Sequence, residues 1–154
     1  MNRIREDVHI HARLEAIFER LGLERVTAWL PIAFRDARVE DDTLTFRLAL
    51  PLDNRRAHLR VREEQPPTSL ALVAAPNGAR PAVEALEWGL HQESANNVHV
   101  TAEFAYEPAG GPFGALLEMA VHAPLRRQAL RDALWRLKLL AEGQVADPSQ
   151  LPGS

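Results

Sequence analysis

Two aromatic residues that carry polar atoms, Tyr106 and Trp88, fall in the apolar phase of their segments, and each needs a partner for its O–H or N–H once buried. Glu84 shares the parity of Leu86 and Trp88, so it too could face inward. A carboxyl taken out of water there resists ionisation and can donate or accept a proton near neutrality. The plainer reading leaves Glu84 at the solvent end of its strand. His91 follows "EWGL" near a strand end, where a bulge would turn it inward. Tyr106, with Glu84 or His91, is therefore the acid–base set to test. The other histidines read as solvated. His9, His11, His58 and His99 occupy the polar phase of their strands, and His122 lies opposite Phe113, Leu117 and Ala120 on a helix. A surface metal site from His9, His11 and His99 is geometrically available, because i and i+2 share a strand face, but solvated histidine is the simpler expectation and no metal is expected.

Other chemistries are excluded or unsupported. The chain of 154 residues contains no cysteine, which removes disulfides, thiolate catalysis and cysteine-held zinc or iron–sulfur sites. No nucleophile elbow, phosphate loop or paired metal-ligand motif is present, and no cofactor is expected. A net charge of −3 argues against bulk nucleic-acid binding, and the dispersed aromatics make no stacking platform for single strands. The longest apolar run, "LALVAA" at Leu70–Ala75, is far shorter than the roughly 18 residues that a membrane span needs. A cytoplasmic protein without stable membrane insertion is the expectation.

The elements that must position these residues follow from turn signals and periodicity. "EDD" at Glu40–Asp42, "LDN" at Leu52–Asn54, "QPP" at Gln65–Pro67, "APNGARP" at Ala75–Pro81 and "SANN" at Ser94–Asn97 divide the middle of the chain into an antiparallel meander. Between them apolar residues alternate, as at Leu44, Phe46, Leu48 and Leu50, at Ala57, Leu59 and Val61, and from Val98 to Tyr106. Each strand thus has one face to bury. Before the meander come a short strand around Val8–Ala12 and two short helices, the first carrying Leu14, Ile17, Phe18 and Leu21 and the second ending near Trp29 and Pro31. After it, Gly111 suits a cap and Pro112 a first helical position, and Pro124 predicts a kink or restart near Ala123. The C-terminal helix then runs to Glu142 and stops at Gly143. One domain over 1–143 with a flexible tail over 144–154 is expected.

The order β-α-α-β6-α resembles the helix-grip fold of the START-like (SRPBCC) superfamily, nearest to its polyketide cyclase/dehydrase and lipid-transport branch. Three stretches carry the resemblance: "AWLP" at Ala28–Pro31, "VHVTAEFAYEPAGGPFGALLE" at Val98–Glu118 and "LRDALWRLKLLAEG" at Leu130–Gly143. It implies an α+β fold in which a curved, antiparallel seven-stranded sheet wraps a long C-terminal helix, with an apolar cavity between them. Trp29, Phe46, Leu59, Leu72, Trp88, Phe104, Tyr106 and Leu117 are the expected lining. The implied function is binding of a hydrophobic small molecule that is lipid-, quinone- or polyketide-like. The alternative is a cyclase/dehydratase-type enzyme, for which an inward polar cluster is the distinguishing feature. Whether the protein is an enzyme stays open at this point.

The C-terminal helix carries more apolar surface than one face needs. Leu130, Leu134, Leu137 and Ala141 form the stripe assigned to the sheet. Trp135 and Leu139 lie around the helix from it, among Arg126, Arg127, Arg131, Arg136 and Lys138. A weak homodimer through Trp135 and Leu139 is expected ahead of membrane docking.

Overall fold

The computed structural model describes residues 2–76, 81–145 and 147–151. The centre of the Ala75–Pro81 turn and the last residues of the tail lie outside them. One antiparallel sheet contains β1 (Asn2–Ile10), β2 (Phe34–Glu40), β3 (Thr43–Leu48), β4 (Ala57–Gln65), β5 (Ser69–Ala74), β6 (Val83–Ser94) and β7 (Asn97–Tyr106). Its order is β1-β7-β6-β5-β4-β3-β2, so six strands form a meander and β1 closes beside the last of them. The sheet curls into a half-barrel around α4 (Ala123–Ala141), the helix-grip arrangement. Two short helices, α1 (Leu14–Glu19) and α2 (Leu23–Val26), link β1 to β2. A one-turn helix, α3 (Gly114–Leu117), precedes α4.

The inward stripe of α4 follows the heptad-like spacing of its apolar residues. Ala129, Leu130, Ala133, Leu134, Leu137 and Leu140 are buried, chiefly along β1, and meet Phe46, Leu59, Leu72, Leu86 and Phe104 from the sheet. Truncating any of these large side chains leaves a cavity, at a typical cost of about 2–5 kcal/mol. Trp29 closes one end of the core. Its Nε1–H donates to the Arg20 carbonyl at 2.8 Å, and its ring meets Trp88 edge-on with centroids 5.9 Å apart. The Trp88 Nε1 is also buried and finds no hydrogen-bond partner among the described residues.

Three expectations need correction. β1 spans Asn2–Ile10 and is far longer than the short strand around Val8–Ala12. Glu6 sits in the inward phase of Ile4, Val8 and Ile10 and interrupts their alternation, because Arg127 and Arg131 of α4 reach it at 3.6 and 3.2 Å. The helix after Gly111 begins at Gly114, later than Pro112, and Gly111 itself adopts φ +106, a conformation that favours glycine. Between α3 and α4, Glu118–His122 form a π-helical turn, and the wider turn shifts the phase of the residues around it. His122 is consequently buried while Phe113 is 75 % exposed, the reverse of the helical reading. Pro124 falls in the first turn of α4, where its missing N–H is tolerated, so the restart lies at Ala123.

The basic surround of Trp135 also dissolves. Arg126 and Arg136 are buried, and Arg136 Nε donates to the Trp29 carbonyl at 2.6 Å. Burial pushes the Arg136 guanidinium below its ordinary value. Lys138 donates to the His9 carbonyl and to Glu142, each at 2.7 Å, and Glu142 accepts from the His11 backbone N–H, so the end of α4 is fastened to the end of β1. Past Gly143, Val145 packs partly on the core and Leu151 is buried in it. Among the described residues, no helix is long and apolar enough to cross a membrane.

Candidate functional site

The π-helical turn brings Glu118 and His122, four residues apart, to the same inner side. The neighbouring turn of α4 adds Arg126. All three are buried, Glu118 at 7 % exposure and Arg126 at 2 %. The last residue of β7, Tyr106, is buried beside them. Tyr106 Oη–H donates to Glu118 Oε1 at 2.7 Å, and Arg126 Nη1 donates to both carboxylate oxygens at 2.6 Å. The Arg126 guanidinium also lies 3.8 Å above the centre of the Tyr106 ring. Glu118 is thus held by three charge-assisted hydrogen bonds and a cation that stacks on one of its own donors.

The loop between β3 and β4 completes the cluster from the other side. Arg126 Nη2 lies 3.9 Å from Asp53 Oδ2, and Arg55 grips Asp53 through Nε and Nη2 at 3.0 and 2.9 Å. Arg55 Nη2 further donates to the Glu107 carbonyl at 2.7 Å, tying this loop to the end of β7. Two acids alternate with two guanidiniums, Arg126 buried and Arg55 partly exposed, so the charges of the cluster balance. His122 Nε2–H donates to the Pro51 carbonyl at 2.6 Å. Its Nδ1, 3.8 Å from Glu118 Oε2, has no hydrogen-bond partner among the described residues.

The electrostatics follow from these partners. Burial pushes the Asp53 carboxyl up, but the Arg55 hydrogen bonds and the charges of Arg55 and Arg126 outweigh it and hold Asp53 below its ordinary value. Burial, then the hydrogen bond to Glu118 and its negative charge, push the Tyr106 hydroxyl up. Tyr106 therefore stays a neutral hydroxyl over the physiological range.

Two spaces adjoin this cluster. One is an internal cavity of about 10 Å³ beside Phe46, Asp53, Arg55 and Arg126, the room of one water. The other is an open groove of about 620 Å³ at the mouth of the half-barrel, within the range of small-molecule sites. Pro108, Ala109, Gly110 and Gly111 form one wall, and Ala115, Met119 and Ala123 the other, with Asn2, Tyr106 and Glu118 as polar groups. Gly114 keeps the walls at this spacing: a Cβ there would lie 2.7 Å from the Ala109 carbonyl oxygen. Phe113, Leu116 and Met119 expose apolar side chains along the same helical segment.

Of the expected lining residues, Tyr106 borders the groove and Phe46 the small cavity. Trp29, Leu59, Leu72, Trp88 and Phe104 are packed in the core, and Leu117 is half-buried. Tyr106 does not meet Glu84 or His91. A bulge at Val83–Ala85 puts Val83 in the inward position and sends Glu84 to the outer face, into a surface groove with Arg3, Arg62 and Glu87. His91 is exposed, in register with His99. Periodicity does not bring Glu118, His122 and Arg126 together, because the π-helical turn departs from the regular helical period. The one available signal was the proline at 124, which marks a disturbed turn just upstream.

No protein-family model and no curated protein matches the chain. Its likeness is to solved structures. DR_A0006 of Deinococcus radiodurans is 22% identical, covers 94% of this chain and 100% of its own, and superposes with a TM-score of 0.63. TTHA0849 of Thermus thermophilus is 16% identical over 93% of this chain and 99% of its own, with a TM-score of 0.70. The Aha1 dimer of Colwellia psychrerythraea is 16% identical over 92% and 97%, with a TM-score of 0.56. The fold is thus that of a group of small bacterial proteins, and these identities speak to the fold alone.

Proposed function

We propose that this chain is a START-like protein that binds a hydrophobic small molecule in the groove between the Gly110–Gly111 loop and the π-helical turn. The observation that carries this reading is the groove itself: about 620 Å³, walled by Ala115, Met119 and Ala123, with polar side chains among its described lining at Asn2, Tyr106 and Glu118. The expectation of a deep cavity between sheet and helix moves to the mouth, since the space beside the buried cluster holds only about 10 Å³. Placing about 200 Å² of apolar ligand surface there gains roughly 5 kcal/mol before the cost of immobilisation. The Asn2 side chain hydrogen-bonds the Tyr106 oxygen, so the two present one joined polar edge to a polar group of the ligand. Phe113, Leu116 and Met119 extend the apolar surface beyond the groove. Titration with a hydrophobic fluorescent probe tests the reading. Saturation near one equivalent, weakened at least tenfold by Met119→Glu, supports it. Equal binding by that variant, or none by the wild type, overturns it.

A second reading, the cyclase/dehydratase-type enzyme, is favoured by the meeting of Tyr106, Glu118 and His122 beside the groove. Binding is preferred because both oxygens of Glu118 are already engaged by Arg126 and Tyr106. Self-association belongs to the proposal in reduced form. Trp135 is 50 % exposed, while Leu139 is half-buried against the core, so the contact centres on the indole. The dimeric state of the Aha1 neighbour lends this limited support.

A further inference from the structure

Far from the groove, the outer face of the sheet gathers histidines from three adjacent strands. His9 of β1 stands in register with His99 of β7, which stands in register with His91 of β6. The rings of His9 and His99 stack with centroids 4.5 Å apart and planes 7° from parallel. Glu93 reaches the same place: its Oε1 lies 3.0 Å from His9 Nε2 and 4.0 Å from His99 Nδ1. One ligand atom from each of His9, Glu93 and His99 lies within 4.8 Å of the others. His11, the partner suggested by strand parity, is replaced by Glu93.

The tautomer of His99 gives this grouping its direction. Asp7 Oδ2 lies 2.6 Å from His99 Nε2, so the ring proton sits on Nε2 and the Nδ1 lone pair is left facing Glu93. A carboxylate on the far nitrogen of a histidine is the usual support of a metal ligand, which it orients and makes more basic. We propose that His9, Glu93 and His99 form a surface site for a borderline divalent transition-metal ion such as Zn²⁺, with Asp7 holding His99 in the ligating tautomer. Ligand bonds of about 2.0–2.1 Å at tetrahedral angles put the donor atoms roughly 3.3 Å apart, so binding requires the stacked rings of His9 and His99 to tilt out of parallel until both lone pairs meet at the ion. On binding, His9 ligates through Nε2 as the Nδ1–H tautomer, the Nε2–H···Glu93 hydrogen bond gives way to two bonds to the ion, and a fourth position is left to water. Two imidazoles select Zn²⁺, Ni²⁺ or Cu²⁺ over Mg²⁺ and Ca²⁺. The site is independent of the groove, since His99 and Tyr106 stand at opposite ends of β7, roughly 23 Å apart at about 3.3 Å per residue.

The test is titration of the chelator-treated full chain with Zn²⁺ against a chromophoric competitor. One ion per chain at micromolar affinity is expected. His9→Gln and His99→Gln should each weaken it at least tenfold, and Asp7→Asn, which keeps all three ligands, by about tenfold. His58→Gln, on β4, should leave it unchanged. Far-UV circular dichroism of these surface variants should match the wild type. Absence of saturable binding at millimolar Zn²⁺ overturns the proposal. So does binding that survives His9→Gln and His99→Gln, or is lost only with His91→Gln.

Discussion

Removing the guanidinium of Arg126 should cost more than any surface substitution in this protein, and removing its partner as well should restore part of the loss. In Arg126→Met, Glu118 keeps only the Tyr106 bond of its three hydrogen bonds, and Asp53 loses a second cation at 3.9 Å. Breaking a buried ion pair from one side typically costs about 3–5 kcal/mol, because the remaining charge is left in a poorly solvated place. Glu118→Gln alone should cost less, about 1–3 kcal/mol, since Arg126 keeps the Asp53 carboxylate at 3.9 Å and the new amide oxygen still accepts a hydrogen bond. If the pair acts as a unit, the double variant is less destabilised than the sum of the singles by at least about 1 kcal/mol. Urea unfolding followed by circular dichroism, with the midpoint and slope fitted separately, measures all four corners of the cycle. An Arg126→Met protein within about 1 kcal/mol of wild type, or strictly additive singles, refutes the view that this cluster pins the π-helical turn to the sheet.

Other outcomes rest on the same geometry. Asp53 and Glu142 both have carboxyls held below their usual values of 3.8 and 4.5, so the stability they contribute is present above those values and lost as pH falls beneath them; Asp53→Asn should flatten the acid limb of a urea-midpoint profile. Tyr106 is raised above its usual 10.0, so its contribution is intact below that pH and lost in strong alkali, and Tyr106→Phe should remove this alkaline limb. Gly114→Ala should destabilise by about 1–3 kcal/mol despite alanine's higher helix propensity, because its Cβ meets a backbone oxygen; thermal unfolding reads this directly. In sedimentation, wild type should self-associate only at high micromolar concentration, and Trp135→Glu should remain monomeric, since one half-exposed indole per copy gains too little for a stable dimer.

The meander and the grip on α4 were legible because alternation and turn residues are local signals, and Leu44 to Leu48, Ala57 to Val61 and Val98 to Tyr106 carry them cleanly. The full length of β1 is hidden in the sequence because Glu6 breaks the alternation, and the reason for a carboxylate there, two arginines on α4, is visible only in three dimensions. The phase of β7 predicts an inward Tyr106 that needs a partner, and its ring is buried with the hydroxyl bonded to Glu118. Its acidic partner is Glu118 and not Glu84 for a physical reason: a bulge at Val83–Ala85 turns Glu84 outward, and a π-helical turn brings Glu118 inward. Both are single-residue departures from regular periods, which parity arguments cannot detect. The basic stripe around Trp135 failed similarly, because Arg126 and Arg136 are long enough to turn back into the core.

The central claim is that the ligand space is the groove at the π-helical turn. Amide chemical-shift mapping of the ¹⁵N-labelled chain during titration with an apolar probe tests it most directly. The account predicts saturating shifts concentrated at Tyr106, Gly110, Gly114, Ala115, Glu118 and Met119, with Leu59, Leu72 and Leu134 unmoved. Shifts centred on those core residues instead, or spread without saturation over the surface, would contradict it.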